Sequence, residues 1–262
     1  MDSPPKRKPD IEDLKALIRR LRAEDGCPWD RRQTPESLKI YLLEEAYELA
    51  EALDRGEVEE IREELGDLLF QILFLCRVHE EQGLFDLDQV IEQVLQKMIR
   101  RHPHVFGDQR WENSEEVVRG WQAIKAEEKK GKDPFDSIPK DLPALLKAHR
   151  ISQRAAGMGF DWPDTQGVLN KVREELKELE EAIEQGNPAS AREELGDLLF
   201  TLVNLGRFLK IPAENALGRT IQKFLKRFRW MTEQTSSAEN PPSTLSEEAW
   251  EALWERSKQT VG

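Results

Sequence analysis

Apolar residues recur at steps of three and four along most of this chain, set among Glu, Lys and Arg. That spacing gathers them on one face of a helix. It predicts helices over residues 11–24, 36–54, 58–82, 86–101, 114–130, 143–156, 165–185, 189–209, 213–233 and 246–259. No stretch alternates convincingly with a period of two, so no strand is expected. Breakers separate the runs: Gly26 to Pro28, Gly56, Gly83, Pro103, Gly131 to Pro134, Gly157 to Gly159, Gly186 to Pro188, and Pro212. The stretch GKDPFDSIPKDLP at 131–143 carries three prolines and reads as a linker. Residues 1–10 read as a disordered tail, and the polar, Pro-rich stretch 235–246 as a mobile loop.

The pattern is written twice. EELGDLLF stands at 63–70 and again at 193–200, and EEAYE at 44–48 answers to EELKE at 174–178. Glu45 and Glu175, Glu48 and Glu178, Glu64 and Glu194, and Asp67 and Asp197 are each 130 residues apart. Lys97 and Arg101 answer to Lys223 and Arg227, Trp121 and Lys125 to Trp254 and Lys258, and GCPWD at 26–30 loosely to GFDW at 159–162. The fold class expected is therefore all-α, a tandem duplication of one helical-bundle module. An N-terminal copy spans 11–130 and a C-terminal copy 144–262, on either side of the linker 131–143. Copies of that length exceed solenoid repeats.

Composition narrows the function. The chain has 262 residues, enough for one large domain or two small ones. Lys and Arg number 39 against 51 Asp and Glu, a net charge of −12, so no stable binding to nucleic acid or an anionic membrane is expected. No run approaches the ~18 apolar residues of a membrane span. The N-terminus MDSPPKRKPD lacks the apolar segment of a secretory signal. Cys27 and Cys76 stand at no metal-ligand spacing, which suits a reduced, cytoplasmic protein.

The acids carry the chemistry. Gly56 lies eight residues from both Glu48 and Glu64, and eleven from both Glu45 and Asp67; Gly186 stands likewise to Glu178, Glu194, Glu175 and Asp197. In an antiparallel helical hairpin, residues equidistant from the turn share a height, and residues three apart share a face. Four carboxylates converging in one place repel, and a bound cation or protons must compensate them. Oxygen donors without His or Cys suit Mg²⁺, with Mn²⁺ as a substitute, and such a site leaves positions open for phosphate oxygens. Glu-rich helix faces are ordinarily solvated surface. Mirrored placement about a turn, occurring twice, argues for a site, as does the Asp of LGDLLF beside strongly apolar positions.

EExxE followed about sixteen residues later by ExxD resembles the all-α nucleoside triphosphate pyrophosphohydrolases. Together GCPWD, YLLEEAYELAEAL, EELGDLLFQ and RRHPHVF resemble the MazG family over nearly the whole chain. The resemblance implies Mg²⁺-dependent cleavage of an NTP or dNTP between its α- and β-phosphates, and a homodimer. It makes the C-terminal copy the catalytic one, with metal ligands Glu175, Glu178, Glu194 and Asp197 and with Glu174 close by. Lys223, Arg227, Trp254 and Lys258 would contact the triphosphate and nucleotide. A basic residue often found four places before the ExxD Glu is Ser190 here, and Arg192 is the candidate replacement. Glu174 or Glu175 would accept the proton of the attacking water, and Glu178 would be needed for turnover. The N-terminal Glu45, Glu48, Glu64 and Asp67 are intact as a second metal site.

Other readings fit less well. A di-iron bundle needs Glu-x-x-His pairs, and none of the four histidines has Glu three places before it. No GxxxxGK[ST] loop occurs. EIREELG at 60–66 matches only part of a Nudix box, without its upstream Gly or its strands. A metal-binding or regulatory helical scaffold remains an alternative. So does a related dUTPase or phosphoribosyl-ATP pyrophosphohydrolase, although the tandem modules and GCPWD argue against both. His102 and His104, flanking Pro103, are expected in a loop.

Overall fold

The computed structural model describes residues 7–128, 131, 133–236 and 245–261. Among them are eleven α-helices and no strand. In order these are α1 (Ile11–Arg22), α2 (Pro35–Arg55), α3 (Val58–Glu81), α4 (Leu87–Arg101), α5 (Pro103–Phe106) and α6 (Ser114–Glu128), then α7 (Ala144–Gly157), α8 (Thr165–Glu184), α9 (Pro188–Phe208), α10 (Ala213–Ser236) and α11 (Glu247–Thr260). A 3₁₀ turn, Asp30–Arg32, follows α1. The residues form two compact units, one up to Ile124 and one from Lys125 onward.

Six of the helices begin where a short polar side chain satisfies free N–H groups. Asp10, Thr34, Asp86, Asp164, Asn187 and Ser246 each accept a backbone N–H of the helix they precede. The two long hairpins turn on glycine. Gly56 closes α2 at φ +74°, and Gly186 follows α8 at φ +63°, a left-handed conformation that L side chains rarely adopt.

In the first unit α2 lies along α3, and α1 packs on the far end of α3. The core is Ile18, Leu38, Leu73, Phe74 and Val78, with Leu14, Tyr41, Phe70, Leu75 and Leu87 against it. Arg22 is almost enclosed here. Its Nε and Nη2 donate to Glu81, its Nη1 donates to the Asp30 carbonyl, and its guanidinium lies 5.3 Å from the centre of the Phe74 ring.

In the second unit α8 lies along α9, α7 packs on α9, and α10 packs on α7, α9 and α11. Val168, Ala182, Val203 and Met231 are buried, together with the polar Ser152, Thr201 and Asn204. Asn204 occupies the position of α9 that Phe74 holds on α3. Its amide donates to the Phe200 carbonyl and its oxygen accepts from Arg207.

Helix ends differ from the sequence expectations by a few residues, and one segment differs in kind. His102 and His104 are not in an open loop: Pro103 starts the single turn α5, where its missing N–H costs nothing. The stretch 131–143 contains turns, and its Ile138 is buried. Arg7 pairs with Asp10 and Asp13 at the start of α1, while residues 1–6 of the expected tail lie outside the described residues. So do 237–244 of the expected mobile loop.

Candidate active site

Each hairpin gathers acids from both of its helices. Glu175 on α8 and Glu194 and Asp197 on α9 bring one carboxylate oxygen apiece to within 4.8 Å of one another. Glu45 on α2 and Glu64 and Asp67 on α3 do the same in the first unit. Position i+3 on the second helix of each pair returns to the same face, so a single acid on the first helix meets both. Glu178 and Glu48, one turn nearer the glycine, stay exposed and outside these triplets.

The electrostatics are those of crowded like charges. Burial pushes the Glu194 carboxyl above its ordinary value, and the charges of Glu178, Glu175 and Asp197 push the same way. Burial likewise raises Glu64, helped by Glu48, Asp67 and Glu45. Glu45 is raised by burial, with its hydrogen bond from Gln71 opposing and the Asp67 and Glu48 charges adding. The Oε2 of Glu64 is buried without a hydrogen-bond partner. Converging carboxylates, one with an orphaned oxygen, fit a small hard cation.

Glu175 is the most buried of these acids, 5% exposed. Lys171, one turn earlier on α8, sets its ammonium 2.7 Å from Glu175 Oε1 and 2.7 Å from Glu174 Oε1. The hydrogen bonds to Glu174 and then Glu175 push the Lys171 pKa upward. Sequence reasoning passed over Lys171, because a Lys four residues before a Glu also marks ordinary surface pairs such as Lys177 with Glu181.

The basic and aromatic candidates form a second group, on α10 and α11. The Arg227 guanidinium lies 5.7 Å from the Trp254 ring centre and Lys258 Nζ 5.9 Å from it, with Phe224 packed at 5.6 Å. Lys258 also pairs with Glu255, and the Nε of Arg227 is buried without a partner. Lys223 stands exposed one turn before Arg227. Among the described residues no ion pair joins this group to the carboxylates. The first unit carries the matching contact, Arg101 lying 5.6 Å from the Trp121 ring centre.

Arg192 is exposed on α9, two residues before Glu194. Ser190 helps to cap the helix rather than carrying charge. Its Oγ accepts from Asn187 Nδ2 at 2.8 Å and its N–H donates to Asn187 Oδ1, closing the first turn of α9. His102 and His104 belong to neither carboxylate group: His102 Nδ1 lies 2.6 Å from the Met98 carbonyl oxygen, and the His104 ring stacks on Trp111 at 4.3 Å.

Comparison with known proteins agrees with the duplication. The family model described as the MazG nucleotide pyrophosphohydrolase domain matches the chain at residues 33–106 and again at 164–232. The chain is 43% identical, over 95% of each protein, to a "Nucleoside triphosphate pyrophosphohydrolase/pyrophosphatase MazG" of Thermotoga maritima. It is 40% identical to a "Nucleoside triphosphate pyrophosphohydrolase" of Escherichia coli strain K12, over 95% of this chain and 97% of that one. The crystal structure of a mazG-related protein from Thermotoga maritima is 30% identical, with TM-score 0.39, over 44% of this chain and 98% of that one.

Proposed function

The chain belongs to the MazG nucleotide pyrophosphohydrolase family, and we propose that it hydrolyses nucleoside triphosphates and their deoxy forms to monophosphate and pyrophosphate in its second module. It is a hydrolase acting on the bond between the α- and β-phosphates. The observation that carries the assignment of the site is the convergence of Glu175, Glu194 and Asp197 across the α8–α9 hairpin.

Glu175, Glu194 and Asp197, extended by Glu178, would hold Mg²⁺, or Mn²⁺ in its place. The ion, when bound, lowers the pKa of a water and offsets phosphate charge. The chain's own groups do the rest. One of Glu174 and Glu175, the two acids paired with Lys171, accepts the water's proton. Arg227 and Lys258, held against the face of Trp254, supply positive charge for the departing pyrophosphate, with Lys223 one turn away and Arg192 beside the acids. Trp254 offers an aromatic face to the nucleotide. Glu45, Glu64 and Asp67, with Glu48, form the second metal site, in the first module.

A homodimer is part of the proposal. Leu65, Leu69 and Ile72 on α3, and Leu195, Leu199 and Leu202 at the matching positions of α9, form exposed apolar stripes. Stripes of this kind support association. Two unpaired cysteines support a reducing, cytoplasmic setting.

The test is incubation of the full chain with mixed NTPs, dNTPs and Mg²⁺, with products separated chromatographically. Equal yields of monophosphate and pyrophosphate are expected, and Glu178→Ala removes them while helicity stays. Absence of monophosphate from the wild type would overturn the reading.

A further inference from the structure

The two hairpins align residue for residue at a separation of 130, yet beside the carboxylates they differ in charge. Lys171 stands where the first module has Tyr41, and Thr201 where it has Gln71. In the second module a full positive charge rests on buried Glu175, 2.7 Å away. In the first, the partner of Glu45 among the described residues is the neutral amide of Gln71 at 3.3 Å, and Tyr41 packs edge-on against Trp29 with ring centres 5.7 Å apart.

We propose that Lys171 is a resident counter-cation that makes the two carboxylate groups unequal metal sites. The first module takes a divalent ion by itself, and the second takes one only against the ammonium. This rests on the reading of both groups as Mg²⁺ sites given above. A divalent ion reaching Glu175 either displaces the ammonium or shares the carboxylate with it. Two cations that close repel strongly enough, even screened, to weaken binding on the order of tenfold or more. The first module is then metal-filled without nucleotide. The second fills together with a triphosphate, whose own negative charge draws the ion and the ammonium alike. Lys171 is on this account a positioning residue, holding Glu174 and Glu175 until substrate arrives.

The experiment is a titration of the full chain with Mn²⁺ alone, without nucleotide, read by electron paramagnetic resonance of free Mn²⁺ and by calorimetry. Two classes of site are expected, about tenfold or more apart in affinity. Glu64→Gln deletes the tighter class and Glu194→Gln the weaker. Lys171→Met moves the weaker class toward the tighter, and Tyr41→Lys moves the tighter toward the weaker. Should Lys171→Met lose its helical circular dichroism, Tyr41→Lys decides alone. The inference is overturned if Lys171→Met leaves the weaker class unchanged, or if Glu64→Gln deletes the weaker one. Two equal classes, each deleted by its own variant, sink the inference and leave the metal reading standing. No Mn²⁺ uptake at either group sinks both.

Discussion

Asp161 receives both terminal nitrogens of Arg207, Nη1 at 2.9 Å and Nη2 at 2.5 Å, and so ties the segment before α8 to the last turn of α9. The Arg207 guanidinium holds the Asp161 carboxyl below its ordinary value of 3.8. A carboxyl so lowered stabilises the fold above pH 3.8, and the contribution is lost as the pH falls through the lower folded value. Asp161→Asn should cost about 1–2 kcal/mol at neutral pH, since the charged fork is only partly enclosed. Urea unfolding at pH 7 should show that loss, and the gap between variant and wild type should close in acid.

Glu194 titrates in the opposite sense. Its folded pKa is raised, so below its unfolded value of about 4.5 it costs the fold nothing, and a penalty grows as pH rises through the raised value. Glu194→Gln should therefore melt above the wild type at pH 7 in the absence of divalent ions. The difference should shrink on acidification. Adding Mg²⁺ should raise the melting temperature of the wild type more than that of the variant. A variant that melts lower at pH 7 would contradict this charge balance.

Asp197→Asn should lower the rate of pyrophosphate release on the order of 10²–10³-fold. Its counterpart Asp67→Asn should lose much less, because it lies in the other module. Steady-state assays on both variants, with matched circular dichroism, compare the two modules directly.

Phe74 is 1% exposed and is packed by Ile18, Leu38, Leu73 and Val78. Truncation to Ala leaves a cavity and removes the face on which Arg22 rests, at a cost of about 3–5 kcal/mol. Denaturant unfolding measures it. Asn204→Ala, at the matching position of the second unit, removes no large apolar side chain and should cost less.

Much of this was legible in the residues. The three-and-four spacing marks every long helix, and Gly56 and Gly186 mark the turns because only a residue without Cβ sits there unstrained. Counting outward from those glycines brings out Glu45, Glu64 and Asp67, and Glu175, Glu194 and Asp197. Equal counting says less about Glu48 and Glu178. Height along a hairpin is a function of count, but reach is a function of rotation: both lie outside the triplets, while their charges still act on Glu64 and Glu194. Ile138 was hidden among three prolines, where no period exists to read. Lys171 was hidden because helix-surface lysines ordinarily pair with nothing that matters, and only burial of its partner Glu175 distinguishes it.

The equal arms about Gly56 and Gly186 carry a consequence for how such a chain can change length. One residue added within the reach between a glycine and its acids advances them 1.5 Å and swings them about 100° around the helix axis, out of the cluster. An insertion at the glycine itself only lengthens a solvent-facing bend. Indels near these hairpins are therefore tolerable at the apex and damaging along the arms, even at positions where any single substitution would be harmless.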